Sequence, residues 1–591
     1  MVAALPIVLF LSVGWFLNEP VALLASGIFS SWIFCYLTFS RNYKVIINLP
    51  IISLFGIFLT FFISSLVNGV HQVVAWQGMY QRNFGLFFWL SIFSLVLVLQ
   101  SSLKSNSGLF VRSLESLMWI SILYGFLQHL NLDPFPWQNN LNAIQLTLGN
   151  PNFAGALYGI LTVIPFSKLS FQNSKMYQIL QVQIILILIF LSIQTKSLQA
   201  FLVMFITITT YLVIISSTFS NNLKKIILRT ATMFLMTFAS LLLFLYFFYY
   251  DFLTSISNRL FYEGNVLQRL NYWQTSLKIF IEHPWLGVGP DQMQIYSAEV
   301  RDSDDVLRDG TFTLTDRAHN VFLDQLVNGG IFAGISWLSF VLFIFIAIKR
   351  IYSRRLSGLS MKYFALFAAV WTGYLTQGML SPDHALLAVL GFFGAGLVLS
   401  LANEEKIGFK QIELPRNAIL VTSSIFSLLL IFSLIFWSRA IQADLLTKKI
   451  LDGKTFDKFE TYQAIDSWKN PRTAELIAIF RARNNPDCDI IVHAANQMLD
   501  VTERYSQAHY FKGYCENLKG NPRGAINEIE KAIQLDPFNP DYMVALTRLY
   551  LFIGDVKNSQ KWFSELELTY PQNSEIEGLT SELMKLTQNF N

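Results

Sequence analysis

Long apolar runs separated by short polar gaps occupy roughly the first three quarters of the chain, after which the pattern changes. The runs lie near 2–17, 20–39, 45–67, 84–100, 109–129, 152–167, 178–195, 198–217, 231–250, 321–348, 362–380, 384–402 and 418–437. Each approaches the ~20 residues that a helix needs to cross a bilayer. The pattern therefore predicts an all-α fold, a polytopic membrane helix bundle of about 12–13 spans. No basic segment precedes the first run and a second follows at once, which predicts a retained helix and not a cleaved signal. Beyond 437 the apolar residues keep helical spacing among ordinary charge, so 1–439 is expected to be a membrane domain and 440–591 a soluble α-helical domain.

Composition agrees: 53% of residues are hydrophobic and only 14% charged, against ~25% charged in soluble proteins. Lysine and arginine then orient the bundle. They collect in alternate gaps, at Arg41 and Lys44, Lys104 and Arg112, Lys168 and Lys175, Lys224, Lys225 and Arg229, Lys349 to Arg355, and Lys406 to Arg416. Such gaps stay cytoplasmic. The intervening 68–83, 130–151, 195–197, 251–319 and 381–384 are then outside, the N-terminus is inside, and the C-terminal domain is extracytoplasmic. This topology accounts for the net charge of +4, so no nucleic-acid partner is expected.

The C-terminal stretch carries a repeat. Gly513, Gly520, Ala525, Ala532 and Pro537 fall at the spacings of a tetratricopeptide unit, and a second copy follows with Gly554 for Gly520 and Pro571 for Pro537. In that copy Ser559 and Leu566 replace the two alanines. Repeats at about 506–573 need a further unit or cap to bury a core, and 457–505 is expected to supply it. Two uses stay open: steadying the membrane domain or self-association, and docking an acceptor or protein partner. Cys35 reads as a packing residue within a span. Cys488 and Cys515 both fall in the outer domain, and the sequence leaves their bonding open.

The predicted topology puts several polar segments on the outer face. They are Gly78 to Gly85 with Arg82, Gly149 to Gly155 with Asn152, Gln194 to Gln199 with Lys196, the loop residue Arg269, and Arg317-Ala318-His319-Asn320 where the long loop meets an apolar helix. A cation at an interface often only snorkels, and a histidine there can simply cap a helix. Their joint placement favours a site, in which a neutral histidine takes a proton from a hydroxyl while arginines hold an anion. Asp302-Ser303-Asp304-Asp305 has the carboxylate spacing of a cation site but reads as a solvated acidic loop. Gly287-Val288-Gly289 lacks the rest of a dinucleotide fingerprint, and Asp383-His384 is a weaker candidate. No metal and no cofactor are expected.

Four linked motifs carry a resemblance. Arg269-Leu270-Asn271-Tyr272-Trp273 leads to His283-Pro284-Trp285-Leu286-Gly287-Val288-Gly289-Pro290, then to Ala318-His319-Asn320-Val321-Phe322-Leu323, and closes on Asn328-Gly329-Gly330-Ile331-Phe332-Ala333-Gly334. Over roughly residues 50–400 the chain resembles the bacterial O-antigen ligase and polymerase superfamily, which includes protein O-oligosaccharyltransferases. Many relatives carry Ser-Arg after the seventh span, whereas Ser197 here precedes Leu198, so Lys196 or Gln199 is expected to substitute.

The resemblance implies transfer of a glycan from a polyprenyl-pyrophosphate donor to an acceptor hydroxyl outside the membrane. His319 is then the general base. Arg269 and Arg82, with Lys196 and Arg317, bind the pyrophosphate through charge-assisted hydrogen bonds. Asn320, Asn152 and Gln199 orient the acceptor or the base. Lipid A core, a growing glycan and a protein side chain stay open as acceptors. Two other classes compete. A transporter is expected to place ionisable groups near the membrane midplane, and an assembly scaffold acting through the repeats would leave the outer cationic cluster unexplained.

Overall fold

The computed structural model describes residues 5–11, 46–80, 82–101, 107–134, 142–169, 174–218, 266–311, 313–354, 358–413 and 415–590. The expected spans at 20–39 and 231–250 lie outside the described residues, as do most of the first span, Cys35, Gln81 and the basic residues Arg41, Lys44, Lys104, Lys224, Lys225, Arg229 and Arg355.

The fold is all-α, a multi-pass membrane helix bundle followed by further helices. Among the described residues six helices are long and apolar enough to cross a membrane: Leu49–Val67, Gly108–His129, Lys175–Gln194, Leu198–Thr218, Val321–Arg354 and Ala385–Glu404. Leu86–Ser101 is a shorter apolar helix. The strands Ile46–Ile47 and Ile412–Glu413 form one small antiparallel ladder. Ala385–Glu404 is the bundle's centre, because 94% of its apolar window is buried, and Phe392 packs among Trp89, Phe340, Trp371 and Tyr374.

Three expected spans differ in detail. The run at 152–167 forms two helices, Pro151–Leu161 and Val163–Leu169. Pro165 has no N–H to offer the carbonyl of Leu161, where the first helix stops. The run at 321–348 is broken at Gly330, whose φ of 63° and ψ of −159° are not helical. The crossing helix therefore starts after Gly330, and Val321 to Gly329 is a separate short helix rich in buried polar groups, Asp324, Gln325 and Asn328. A hydropathy window averages across such a break. The last expected span, 418–437, is part of one helix Arg416–Leu451, so the expected 439/440 boundary falls inside a continuous helix.

The bundle's two ends carry different chemistry. At one end Lys168 pairs with Glu115 at 3.0 Å, and Arg350 donates to the carbonyls of Ile407 and Gly408. At the other the polar loops meet the C-terminal helices. These include the hairpins Ser506–Leu518 with Pro522–Leu535 and Pro540–Phe552 with Val556–Thr569. A disulfide joins Cys488 to Cys515, with Cα atoms 5.4 Å apart. Arg301 of the long loop forms a buried bidentate pair with Asp536, at 2.7 and 2.6 Å. Arg504 grips Glu299 through both carboxylate oxygens and lies over the Tyr296 ring. These contacts seat the C-terminal helices on the loop that leads to His319.

Candidate functional site

The glycine motifs build the frame. Val288 N donates to Val327 O at 2.8 Å, Gly289 N to Asn328 O at 3.0 Å, and Ile331 N to Pro284 O at 2.8 Å. The Pro284–Gly289 segment thus satisfies backbone groups released by the helix break, which is why the two glycine-rich motifs occur together. Gly287 and Gly330 both have positive φ, and a Cβ on either would strike the other segment's backbone. Only glycine fits that crossing.

Asp291, just beyond this segment, ties three loops together. Its buried carboxylate accepts from Met79 N at 3.2 Å and Phe84 N at 2.9 Å and forms a buried ion pair with Arg317. Gly78 allows that approach, because a Cβ there would meet the Asp291 carboxylate. The Arg317 guanidinium also lies over the Phe84 ring, 4.9 Å from its centroid. Beside this buried pair a half-exposed one forms, in which Arg82 Nε donates to Asp316 at 2.6 Å. Both pairs line one cavity of about 200 Å³, together with Met79, Tyr80, Gln294, Thr313, Leu314 and Arg472.

His319 adjoins this cluster in the left-handed region, with φ 54°. A non-glycine residue held there costs roughly 1–2 kcal/mol, and such strain gathers at functional positions. Two groups hold the turn: Ala318 N donates to Asp324 at 2.8 Å, and Asn320 caps the following helix by accepting from Phe322 N and Leu323 N. The His319 ring lies 4.8 Å from that of Tyr272, three residues from Arg269 on helix Val266–Glu282. That spacing sets Arg269 and Tyr272 on one face.

Electrostatics fix the protonation states. Burial pushes the imidazole of His319 down, Asp316 pulls it back, and Arg82, Arg269 and Arg317 lower it further, to about 4. His319 is therefore neutral at pH 7. Burial raises the Asp316 carboxyl, but Arg82, His319 and Arg317 outweigh it and hold it at about 2. Asp383 sits nearby in the 381–384 turn, where burial lifts its carboxyl to about 7 and Tyr374 donates to it at 3.0 Å.

Of the residues singled out from sequence, His319, Arg82, Arg317 and Arg269 come together. The other four are placed as follows. Asn320 is a helix cap. Gln199 is buried and accepts from Ser381 at 2.5 Å. Asn152 lies in the first turn of Pro151–Leu161, capped by Asn150. Lys196 occupies the left-handed turn between two helices, where the flanking Thr195 and Ser197 pack on Gly155. Lys196, Asn152 and Gln199 are not among the cavity's lining residues, and neither are His319 and Arg269; His319 adjoins the cavity through its charge interactions with Arg82 and Arg317, and Arg269 acts on His319 in the same way.

The acidic run is no loose loop. Asp302 and Asp305 form a reciprocal capping box on helix Ser303–Asp309 and pair with Lys278 and Arg308. Asp291, Asp316 and Arg472 were not anticipated; the one available signal was a carboxylate directly after Gly289-Pro290.

The curated proteins give no match. Residues 179–338 match the family model described as O-antigen ligase, a stretch holding Arg269, the glycine crossing, Asp291, Asp316, Arg317 and His319. The family implies a lipid-linked glycan donor and an acceptor at a membrane. Over these residues the chain carries an O-antigen ligase domain, which supports a glycan-transferring, ligase- or polymerase-like membrane enzyme.

Proposed function

We propose that the protein transfers a glycan from a polyprenyl-pyrophosphate donor to an acceptor hydroxyl on the outer face of the cytoplasmic membrane, with His319 as general base. What supports this reading is His319, held in a left-handed turn against the Tyr272 ring, where burial and the charges of Arg82, Arg269 and Arg317 favour its neutral form. A ring nitrogen of His319 takes the acceptor proton as the hydroxyl oxygen attacks the anomeric carbon. The glycosyl–phosphate bond breaks and its electron pair leaves on the pyrophosphate, where Arg82 and Arg269 stabilise the growing charge. Base assistance of this kind contributes ~10²–10⁴-fold.

Arg317, through its buried pair with Asp291, fixes the loop carrying Arg82. Arg82 exchanges Asp316 for phosphate, which its half-exposed geometry permits. The disulfide supports an extracytoplasmic C-terminal region, because such bonds persist in oxidising compartments. The test is purified protein incubated with a polyprenyl-pyrophosphate glycan and, in turn, a lipid A core, a glycan chain and a protein acceptor. The reading expects transfer to one of these and free polyprenyl pyrophosphate in equal amount; release of glycan to water alone in every case would overturn it.

A further inference from the structure

One wall of the cavity comes from outside the O-antigen ligase domain. Arg472 stands in the first turn of helix Pro471–Asn484, about 390 positions from Arg82 along the chain, yet both line the same space. Its guanidinium is braced from behind by Glu475, at 2.7 Å. Glu475 is buried and also accepts from Tyr505 at 3.0 Å.

The helix is fixed against the loop that bears Arg82. Asn470 donates to Gly78 O and accepts from Tyr80 N, each at 3.2 Å, while Trp468 Nε1 donates to Gln77. The Tyr80 ring meets the edge of Trp468, with centroids 5.4 Å apart, and its hydroxyl donates to Asp444 at 2.5 Å.

Three guanidiniums and two carboxylates line the cavity, Arg82, Arg317 and Arg472 with Asp291 and Asp316, while Glu475 offsets the charge of Arg472 from outside the lining. All three are paired, but the Arg317 side chain is only 6% exposed, whereas Arg82 and Arg472 keep 28% and 25%, which makes them the guanidiniums best placed to take an anion with several oxygens. A diphosphate has that character, since it offers more acceptor oxygens than one guanidinium fork can serve.

We propose that Arg472 is a further binding residue for the diphosphate, supplied by the C-terminal helices, so that the anion site is complete only when those helices are seated. This rests on the reading of the cleft as a pyrophosphate site. The competing role for Arg472 is a purely structural i,i+3 pair with Glu475. The two roles separate on Glu475→Gln. A structural pair is damaged from either side, whereas an anion-binding arginine relieved of its carboxylate holds an anion more tightly.

The experiment uses the full-length protein in lipid nanodiscs, titrated with inorganic phosphate, inorganic pyrophosphate and polyprenyl pyrophosphate, beside steady-state transfer. Arg472→Gln is expected to weaken both pyrophosphate ligands about 10–100-fold, the equivalent of a charge-assisted hydrogen bond or two. It is expected to raise the donor KM more than it lowers kcat. Arg472→Lys recovers part of the loss, and Glu475→Gln strengthens binding. Pyrophosphate binding by Arg472→Gln at the wild-type level would overturn the proposal. So would equal weakening by Arg472→Gln and Glu475→Gln with a matching fall in melting temperature. Binding of free phosphate but not of the lipid diphosphate would overturn the lipid-linked source. Wild-type protein that transfers no glycan counts against the transferase reading itself, whereas normal transfer by Arg472→Gln counts against Arg472 alone.

Discussion

Asp291→Ala tests how the site is held. The substitution removes the partner of the buried Arg317 and orphans the N–H groups of Met79 and Phe84. Removing one member of a buried ion pair costs about 3–5 kcal/mol, and each orphaned donor about 1–3 kcal/mol. Even the low end of each range amounts to about 5 kcal/mol, enough to open a single loop locally. Residues 79–85 should release and carry Arg82 away from Asp316.

The double variant Asp291→Ala/Arg317→Met removes the uncompensated charge while keeping an apolar group on Phe84. It should recover about 3 kcal/mol of this, or roughly a hundredfold in the opening equilibrium. Amide hydrogen exchange over 79–85, read in nanodisc-embedded protein beside donor binding, measures both effects. If the double variant exchanged as fast as Asp291→Ala, the cost would not come from a stranded Arg317, and the account of this pair would be wrong.

Other expectations concern pH, metals and topology. Because His319 is held near 4 and acts in its neutral form, kcat/KM should rise with pH through about 4 and stay flat to pH 8. Arg82→Gln removes a charge that lowers the histidine and should move that limb up, whereas Asp316→Asn should move it down; shifts in the opposite sense would disprove the coupling. If arginines neutralise the pyrophosphate, as proposed, transfer should persist in excess chelator and Asp304→Ala should be silent; activity lost on chelation and restored by Mg²⁺ would reopen the acidic segment as a site. A reporter fused after residue 440 should read as extracytoplasmic and one within 349–360 as cytoplasmic, and the reverse result would invert the assigned face.

The sequence disclosed much of this because spans and loop charge are local properties. Runs such as 178–195 and 384–402 became helices Lys175–Gln194 and Ala385–Glu404 with little change, and His319 lies within electrostatic reach of Arg82, Arg269 and Arg317. What stayed hidden is long-range or averaged. No periodicity signals that Asp291 will accept from Met79, 212 residues away, or that Asn470 will grip Tyr80, 390 residues away. The break at Gly330 was masked because its flanks, Val321 to Leu323 and Ile331 to Phe332, are both apolar. The local bonds of Asn320 and Gln199 could not be read from sequence either, because capping and interhelix bonding use the same amide groups that recognition uses.

The most direct measurement of the central claim compares donor binding with single-turnover transfer for wild type and His319→Ala. If His319 takes the acceptor proton, the variant should bind the polyprenyl-pyrophosphate glycan within a few-fold of wild type while its transfer step slows by about 10²–10⁴-fold. Lost donor binding with undiminished turnover at saturating donor would contradict the account, and would assign the histidine to the pyrophosphate instead.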